Sequence, residues 1–500
     1  MTQVNDEQKR RLDALFVGGV AWTAGGKWGT QLFSWASVFL VARLLSPSDF
    51  GIAGMASFFA LLTNILAEFG VSTAVLQMPE LERVVLAQLH AFSCLICTLA
   101  FVVSIPAAPL IASFFQIEHL TILIVVNNLA FFITGFQAVP LGLLQRDMDY
   151  RRLSLAEASQ ALVQAVVTVT AAWSGLGYWS LIIGPAVGKA TAAVLVCRWK
   201  PIPFAFPRWK DIRAPIRLGG QAAIGRLAWA AYTQADGITV GRVLGKSLLG
   251  VYQMAGNLAS APAEKISTLI MRAAGPLFAK VQSDVALVRR YFLILAQALT
   301  MIELPLMLGL GMVAPEAVQV VLGSKWAGMV APLRWLLLFM TVRTLGSLAD
   351  QVLISQRLTG FTMRMSLLNL FVMPAAFVVA AHWKGTSGVA AAWFVLAPLT
   401  IFPLAWKVLR TIHANLRELG EALLPAVAGV SAMVGVLFAL RVWLVPQPWP
   451  VLFRLTIQVA VGAAVYGMVL MGFFRERVMR YVRFVQDLRK QTEVLARGKL

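Results

Sequence analysis

The sequence predicts an all-α polytopic membrane protein of about fourteen transmembrane helices, laid out as two pseudo-symmetric six-helix lobes followed by two extra helices. Three observations predict it. Of the 500 residues 59% are hydrophobic and only 13% charged, where soluble domains run at about 25% charged. Apolar runs of roughly 20 residues follow one another along nearly the whole chain. The chain also repeats itself: VARLLSPSDFGIAGMA (Val41–Ala56) returns 199 residues later as VGRVLGKSLLGVYQMA (Val240–Ala255), with seven of sixteen positions identical, Gly51 and Gly250 among them.

In chain order, the first lobe (residues 1–197) takes spans near 15–42, 51–76, 86–109, 119–143, 154–173 and 178–197. The first span is too long for a signal-peptide core and is expected to be retained. Cys94 and Cys97 form a C-x-x-C inside an apolar span, where packing is the expected role. Residues 198–217, RWKPIPFAFPRWKDIRAPIR, hold six basic residues and four prolines and read as a cytoplasmic linker, with Trp199, Phe206 and Trp209 available to the lipid interface. The second lobe (218–415) takes spans near 218–242, 249–271, 291–313, 329–354, 365–382 and 388–408. Residues 416–474 add spans near 422–444 and 454–474, and 475–500 form a basic amphipathic tail suited to an anionic leaflet.

The net charge of +20 is a topology signal. With the amino terminus in the cytoplasm, 29 Lys or Arg fall in segments expected to be cytoplasmic against 7 on the outward side, as the positive-inside rule requires. That distribution excludes a nucleic-acid role and places both termini in the cytoplasm. Six spans separate the two copies of the repeated stretch, so the copies share one orientation. Transporters built from such parallel repeats carry the substrate between their halves.

An ionisable side chain is costly in lipid, so each one inside a span marks a candidate water-filled interior. The basic ones are Lys27, Lys189, Arg226, Lys265, Arg334 and Arg343; the acidic ones are Glu68, Asp236, Glu264, Glu303 and Asp350. At the 199-residue offset Lys27 falls on Arg226, Ser34 on Thr233 and Ser37 on Asp236. Thr23, Lys27, Thr30, Gln31 and Ser34 share one helical face, a stripe that serves either helix packing or a polar path. Arg343, Gly346, Ser347 and Asp350 share another. His90 and His119 sit near span ends and are expected at the interface. A cavity lined by cations from both lobes suits an anionic, hydrophilic cargo. Lys27, Arg226, Arg343, Lys189 and Lys265 are its candidate binding residues, with Gln31, Ser34 and Thr233 for neutral groups. Asp236, Glu68, Glu303 and Asp350 are candidates for a coupling proton or sodium ion; no metal or organic cofactor is expected.

The chain resembles the Wzx-type polysaccharide flippases, in their WzxC-like branch, of the multidrug/oligosaccharidyl-lipid/polysaccharide exporter superfamily that also holds the MATE transporters. The resemblance covers roughly residues 10–415. It rests on ARLLSPSDFGIAGMASFFALLTNILAEFGVSTAVLQ (42–77), LLQRDMDYRRLSLAE (143–157), GLGYWSLIIG (175–184), TQADGITVGRVLGKSLLGVYQMA (233–255) and LGSKWAGMVAPLRWL (322–336). The resemblance implies movement of an undecaprenyl-pyrophosphate-linked oligosaccharide across a bacterial inner membrane, by ion-coupled alternating access through a cationic cavity. It also implies polysaccharide polymerase and co-polymerase partners. The family's Q-A-D pattern stands here as Gln234, Ala235 and Asp236, with Gly237 where a basic residue is expected. The last two spans resemble the extra pair of lipid II flippases.

Two other readings share the composition. A cation-coupled drug exporter of the same superfamily would carry an acidic or aromatic pocket in place of Lys27 and Arg226. A glycan polymerase or ligase would need a large outward loop, and the longest here, near 314–328 and 441–453, are short.

Overall fold

The computed structural model describes residues 33–68, 71, 75, 82–213, 216, 230–444 and 446–477. Every regular element among them is helical. The helices are α1 (Phe33–Leu44), α2 (Pro47–Glu68), α3 (Arg83–Phe115), α4 (Leu120–Asn128), α5 (Ala130–Arg146), α6 (Tyr150–Trp173), α7 (Ser180–Trp199), α8 (Ala235–Leu244), α9 (Lys246–Val281) and α10 (Val285–Val321). They continue with α11 (Val330–Ser355), α12 (Thr359–Val395), α13 (Ala397–Thr400), α14 (Phe402–Thr411), α15 (Leu416–Leu444) and α16 (Val451–Phe473). Among the described residues, nine helical stretches are long and apolar enough to cross a membrane. The protein is a multi-pass membrane protein. α12 carries non-helical backbone at Lys384 and Gly385, the latter at φ +58°, so two helices meet there at a break that glycine accommodates.

The chain divides into two compact units. The first takes the residues up to Gln234 together with Gly245–Gly250; the second takes Ala235–Leu244 and the chain from Val251 onward.

In the first unit, α2 starts in a capping box. Ser46 is the N-cap, Pro47 follows it, and Asp49 Oδ2 accepts from both the Ser46 amide (2.9 Å) and its hydroxyl (2.6 Å), while the Asp49 amide donates to Ser46 Oγ (3.3 Å). One turn on, a Cβ at Gly51 would stand 1.7 Å from the carbonyl oxygen of Lys246, and one at Gly250 would stand 1.8 Å from that of Pro47. The two copies of the repeated stretch therefore cross backbone to backbone at their matching glycines, which is the physical reason neither copy carries a side chain there.

α6 and α7 are joined by the same device. Gly184 and Gly188 form a G-x-x-x-G on α7; a Cβ at Gly184 would meet Thr168 Oγ1 at 1.8 Å, and one at Gly188 would meet the Gln160 carbonyl at 2.8 Å. Without a hydrophobic driving force in lipid, close backbone approach at small residues is what holds such a pair. Cys97 is buried against Gly135 and the neighbouring Cys94 is half-buried; neither is in a disulfide.

The linker is docked on the first unit. Its chain is non-helical over 201–208 and helical over 209–213. Asp211 Oδ2 accepts from Gln88 Nε2 (3.0 Å), Ile212 joins a core cluster with Leu89 and Val139, and Lys200 pairs with Asp147 (2.5 Å). Phe204 packs over His90 with ring centroids 4.8 Å apart. His90, expected at an interface, is thus buried. Phe206 and Trp209 remain exposed.

The second unit packs α10 against α11, α15 and α16. Near one end Val288, Phe292, Leu299, Leu353, Val408 and Ile412 form a buried cluster. There Arg289 grips Glu418 through two hydrogen bonds, Nε to Oε2 at 2.8 Å and Nη2 to Oε1, so the first turn of α15 is tied to the start of α10.

Candidate functional site

The first unit holds a half-open cavity of about 290 Å³. Its polar lining comes from two helices. α1 contributes Ser34 and Ser37; α6 contributes Glu157, Gln160, Gln164 and Thr168, which recur at spacings of three and four and so share one face. Apolar walls include Val41, Phe50 and Pro185. The polar face of α6 is set against α7 by the same close approach at Gly184 and Gly188, because Thr168, Gln164 and Gln160 are the groups those glycines touch. Thr168 and Thr134 each donate a hydroxyl to the carbonyl four residues back, Gln164 (2.7 Å) and Ala130 (2.9 Å). Lys189, on α7, donates to Thr134 Oγ1 at 2.5 Å.

One carboxylate, two amides and three hydroxyls make a lining that solvates a cation or hydrogen-bonds a hydroxylated group. The volume lies at the low end of small-molecule pockets, which start near ~300 Å³.

In the second unit two of the acidic residues expected inside spans, Asp236 and Glu303, are held by side chains from other helices. Asp236 lies in the first turn of α8, where the helix dipole favours a negative charge. Its Oδ1 accepts from the Gly237 amide (2.6 Å); its Oδ2 accepts from Tyr252 Oη (2.7 Å) and Trp393 Nε1 (2.9 Å). Trp393 is held in turn between Phe339 and Phe377, each 4.9 Å away by ring centroid. The Gly385 break in α12 lies between Phe377 and Trp393 and lets one helical segment end and the next restart toward α8.

Glu303 is buried in α10 at 2% exposure. Its Oε1 accepts from Thr344 Oγ1 on α11 at 2.7 Å, and Ser267 on α9 donates to the same threonine at 3.4 Å. Arg343, beside Thr344, brings its charge to bear on the same carboxyl. Three helices therefore converge on Glu303 through a hydroxyl relay.

Of the residues expected from sequence, Ser34 lines the cavity, and Glu303 and Arg343 come together in the second unit. Asp236 is caged by its own partners. Thr233 donates to the Ala230 carbonyl (3.2 Å). Lys265 and Glu264 are exposed on α9, and Asp350 is half-buried on α11. Glu68 is the last residue of α2. Lys27, Gln31 and Arg226 lie outside the described residues.

Reading the sequence alone missed Glu157, Gln160 and Gln164, although their spacing on one face of an otherwise apolar span was a visible signal. It also missed Tyr252 and Trp393, and for Trp393 no local signal exists, because it meets Asp236 from 157 residues away.

Among the described residues the chain is thus a helical membrane protein with a polar centre in each unit. Residues 40–331 match the family model described as polysaccharide biosynthesis protein, and the chain belongs to that family. It is 24% identical over 369 residues to the lipopolysaccharide biosynthesis protein WzxC of Escherichia coli K12, covering 70% of this chain and 72% of that one. It is 22% identical over 473 residues to the teichuronic acid biosynthesis protein TuaB of Bacillus subtilis 168, covering 93% and 97%. Among solved structures it is similar to the lipid II flippase MurJ in an inward closed conformation, with a TM-score of 0.73 at 14% identity over 91% of this chain and 99% of that one; the likeness is one of fold.

Proposed function

We propose that the protein flips a lipid-linked oligosaccharide, carried on a polyprenyl pyrophosphate such as undecaprenyl pyrophosphate, across a bacterial inner membrane during polysaccharide biosynthesis. The observation that carries this reading is the family match over residues 40–331 on a fold similar to a lipid II flippase over 91% of the chain. The relatives' names support it, since WzxC is named for lipopolysaccharide biosynthesis and TuaB for teichuronic acid biosynthesis.

The division of labour follows from chemistry. Lys27 and Arg226 are the proposed pyrophosphate ligands, two cations at equivalent places in the repeat. The cavity lined by Ser34, Gln160 and Gln164 supplies neutral hydrogen-bonding groups for sugar hydroxyls. Glu303 is the proposed coupling group for a proton or sodium gradient, because one oxygen is engaged by Thr344 and the other takes no hydrogen bond from a described residue. Asp236, with both oxygens engaged, is proposed to hold α8, α9 and α12 together.

The test is mass spectrometry of lipid-linked intermediates, with their sidedness, in a deletion strain. Complete repeat units accumulating on the inner leaflet, with loss of the surface polymer, are expected. Normal polymer and no accumulation would overturn the reading. Lys27→Ala and Arg226→Ala, at normal expression, are each expected to abolish complementation, and full export by both would remove them as pyrophosphate ligands.

A further inference from the structure

α10 carries two prolines in its interior, Pro305 and Pro315. A proline has no amide hydrogen, so the carbonyls four residues earlier, Met301 and Gly311, lose their helical partners. In a bilayer an unpaired carbonyl must be satisfied from inside the protein. Each is. Tyr466 Oη on α16 donates to the Met301 oxygen at 2.6 Å, and Arg334 Nε on α11 donates to the Gly311 oxygen at 2.9 Å. Arg441 Nη1 on α15 adds a bond to the next carbonyl, Met312, at 3.1 Å.

The first of these bonds sits on the turn that matters. Glu303 lies between Met301 and Pro305, so the direction in which its side chain leaves α10 depends on how the proline bend is set. The path for Tyr466 is cleared by Gly429 on α15, where a Cβ would stand 2.7 Å from the tyrosine ring. Around it Val430, Met433 and Leu437 of α15 pack with Leu304, Leu308 and Met312 of α10. Tyr466, Arg441 and Gly429 all lie beyond residue 331, where the family match ends.

We propose that Tyr466 is a positioning residue for Glu303: by holding the carbonyl that Pro305 frees, it fixes the bend of α10 and keeps the Glu303 carboxyl against Thr344. The helix pair α15–α16 is then a brace for the coupling centre. This rests on the reading of Glu303 as the coupling group.

The experiment uses the full chain in vesicles of phosphatidylethanolamine and phosphatidylglycerol, with a fluorescent polyprenyl-pyrophosphate-linked sugar as the probe. Its flipping rate is followed across pH and sodium concentration. Tyr466→Phe removes one hydroxyl and keeps the ring. It is expected to lower the rate about 3- to 10-fold at a fixed gradient, the weight of one hydrogen bond, and to shift the ion dependence. Gly429→Ala, which displaces the ring, is expected to do the same. In a Pro305→Ala background the amide at 305 satisfies Met301 again, so adding Tyr466→Phe is expected to change nothing further. In a Glu303→Gln background, where ion dependence is already lost, Tyr466→Phe is expected to be silent as well. An unaltered rate and ion profile in Tyr466→Phe, with Glu303→Gln still abolishing ion dependence, overturns the positioning role alone. An equal effect of Tyr466→Phe with and without the Glu303 carboxyl overturns it too. Retained ion dependence in Glu303→Gln overturns the coupling reading, and the positioning role with it.

Discussion

Asp236 receives a tyrosine, a tryptophan and a backbone amide across both of its oxygens, whereas Glu303 receives one threonine on one oxygen. Both are carboxylates inside spans of the same unit, and composition cannot tell them apart. The difference teaches that the cost of an intramembrane carboxylate can be met in two ways. Partners that fill every acceptor direction turn the group into a structural joint. Partners that leave one oxygen unengaged leave it free to take up a cation.

The largest effect that would sharpen this contrast is at Glu303. Glu303→Gln keeps the shape and an acceptor for Thr344 but removes the charge, so export is expected to fall by about 10²-fold or more, as when a coupling or catalytic acid is lost, with normal amounts of folded protein. Cell-surface polymer and protein level measured together check it. Asp236→Asn is expected to act the other way round. It sets an amide nitrogen against donors that need an acceptor, destabilising the fold by about 1–3 kcal/mol. Thermal unfolding in detergent reads that loss, and the ion dependence of the protein that remains folded is expected to be unaltered. An altered ion dependence in Asp236→Asn would break the contrast.

Gly184→Ala tests the first unit by a different route. The new methyl would overlap Thr168 Oγ1, so α6 and α7 must part, at about 1–3 kcal/mol, and the cavity lined by Gln160 and Gln164 must change shape. The pairing Gly184→Ala with Thr168→Ala is expected to recover part of the loss, measured as melting temperature and as transport. The smallest effect is at the edge of the second unit. Breaking the part-exposed Arg289–Glu418 pair by Glu418→Gln is expected to cost about 0.2–1 kcal/mol and to leave transport unaffected.

Much of this was legible before any coordinates. Hydropathy and length marked the membrane helices, and the repeated stretch at Val41 and Val240 carried a reason that the fold supplies: Gly51 and Gly250 are where the two copies touch. The prolines of α10 were visible as letters. Their partners were not, since Tyr466 lies 165 residues from Met301 and nothing near either residue announces the other. The carboxylate list of Asp236, Glu68, Glu303 and Asp350 was likewise readable, but the partners that separate Asp236 from Glu303 were not.

Sequence by itself determined the class: a highly apolar chain with few charges and apolar runs of roughly 20 residues satisfies its backbone as membrane helices. It also named Asp236 and Glu303 among the charges that had to be accommodated inside. What the tertiary structure decided is how each of them is accommodated. That choice depends on side chains arriving from distant helices, Trp393 and Tyr252 at Asp236, Thr344 at Glu303, Tyr466 at the Pro305 bend. A hydrogen bond acts over about 3 Å whatever the separation along the chain, so only the packed fold can assign it.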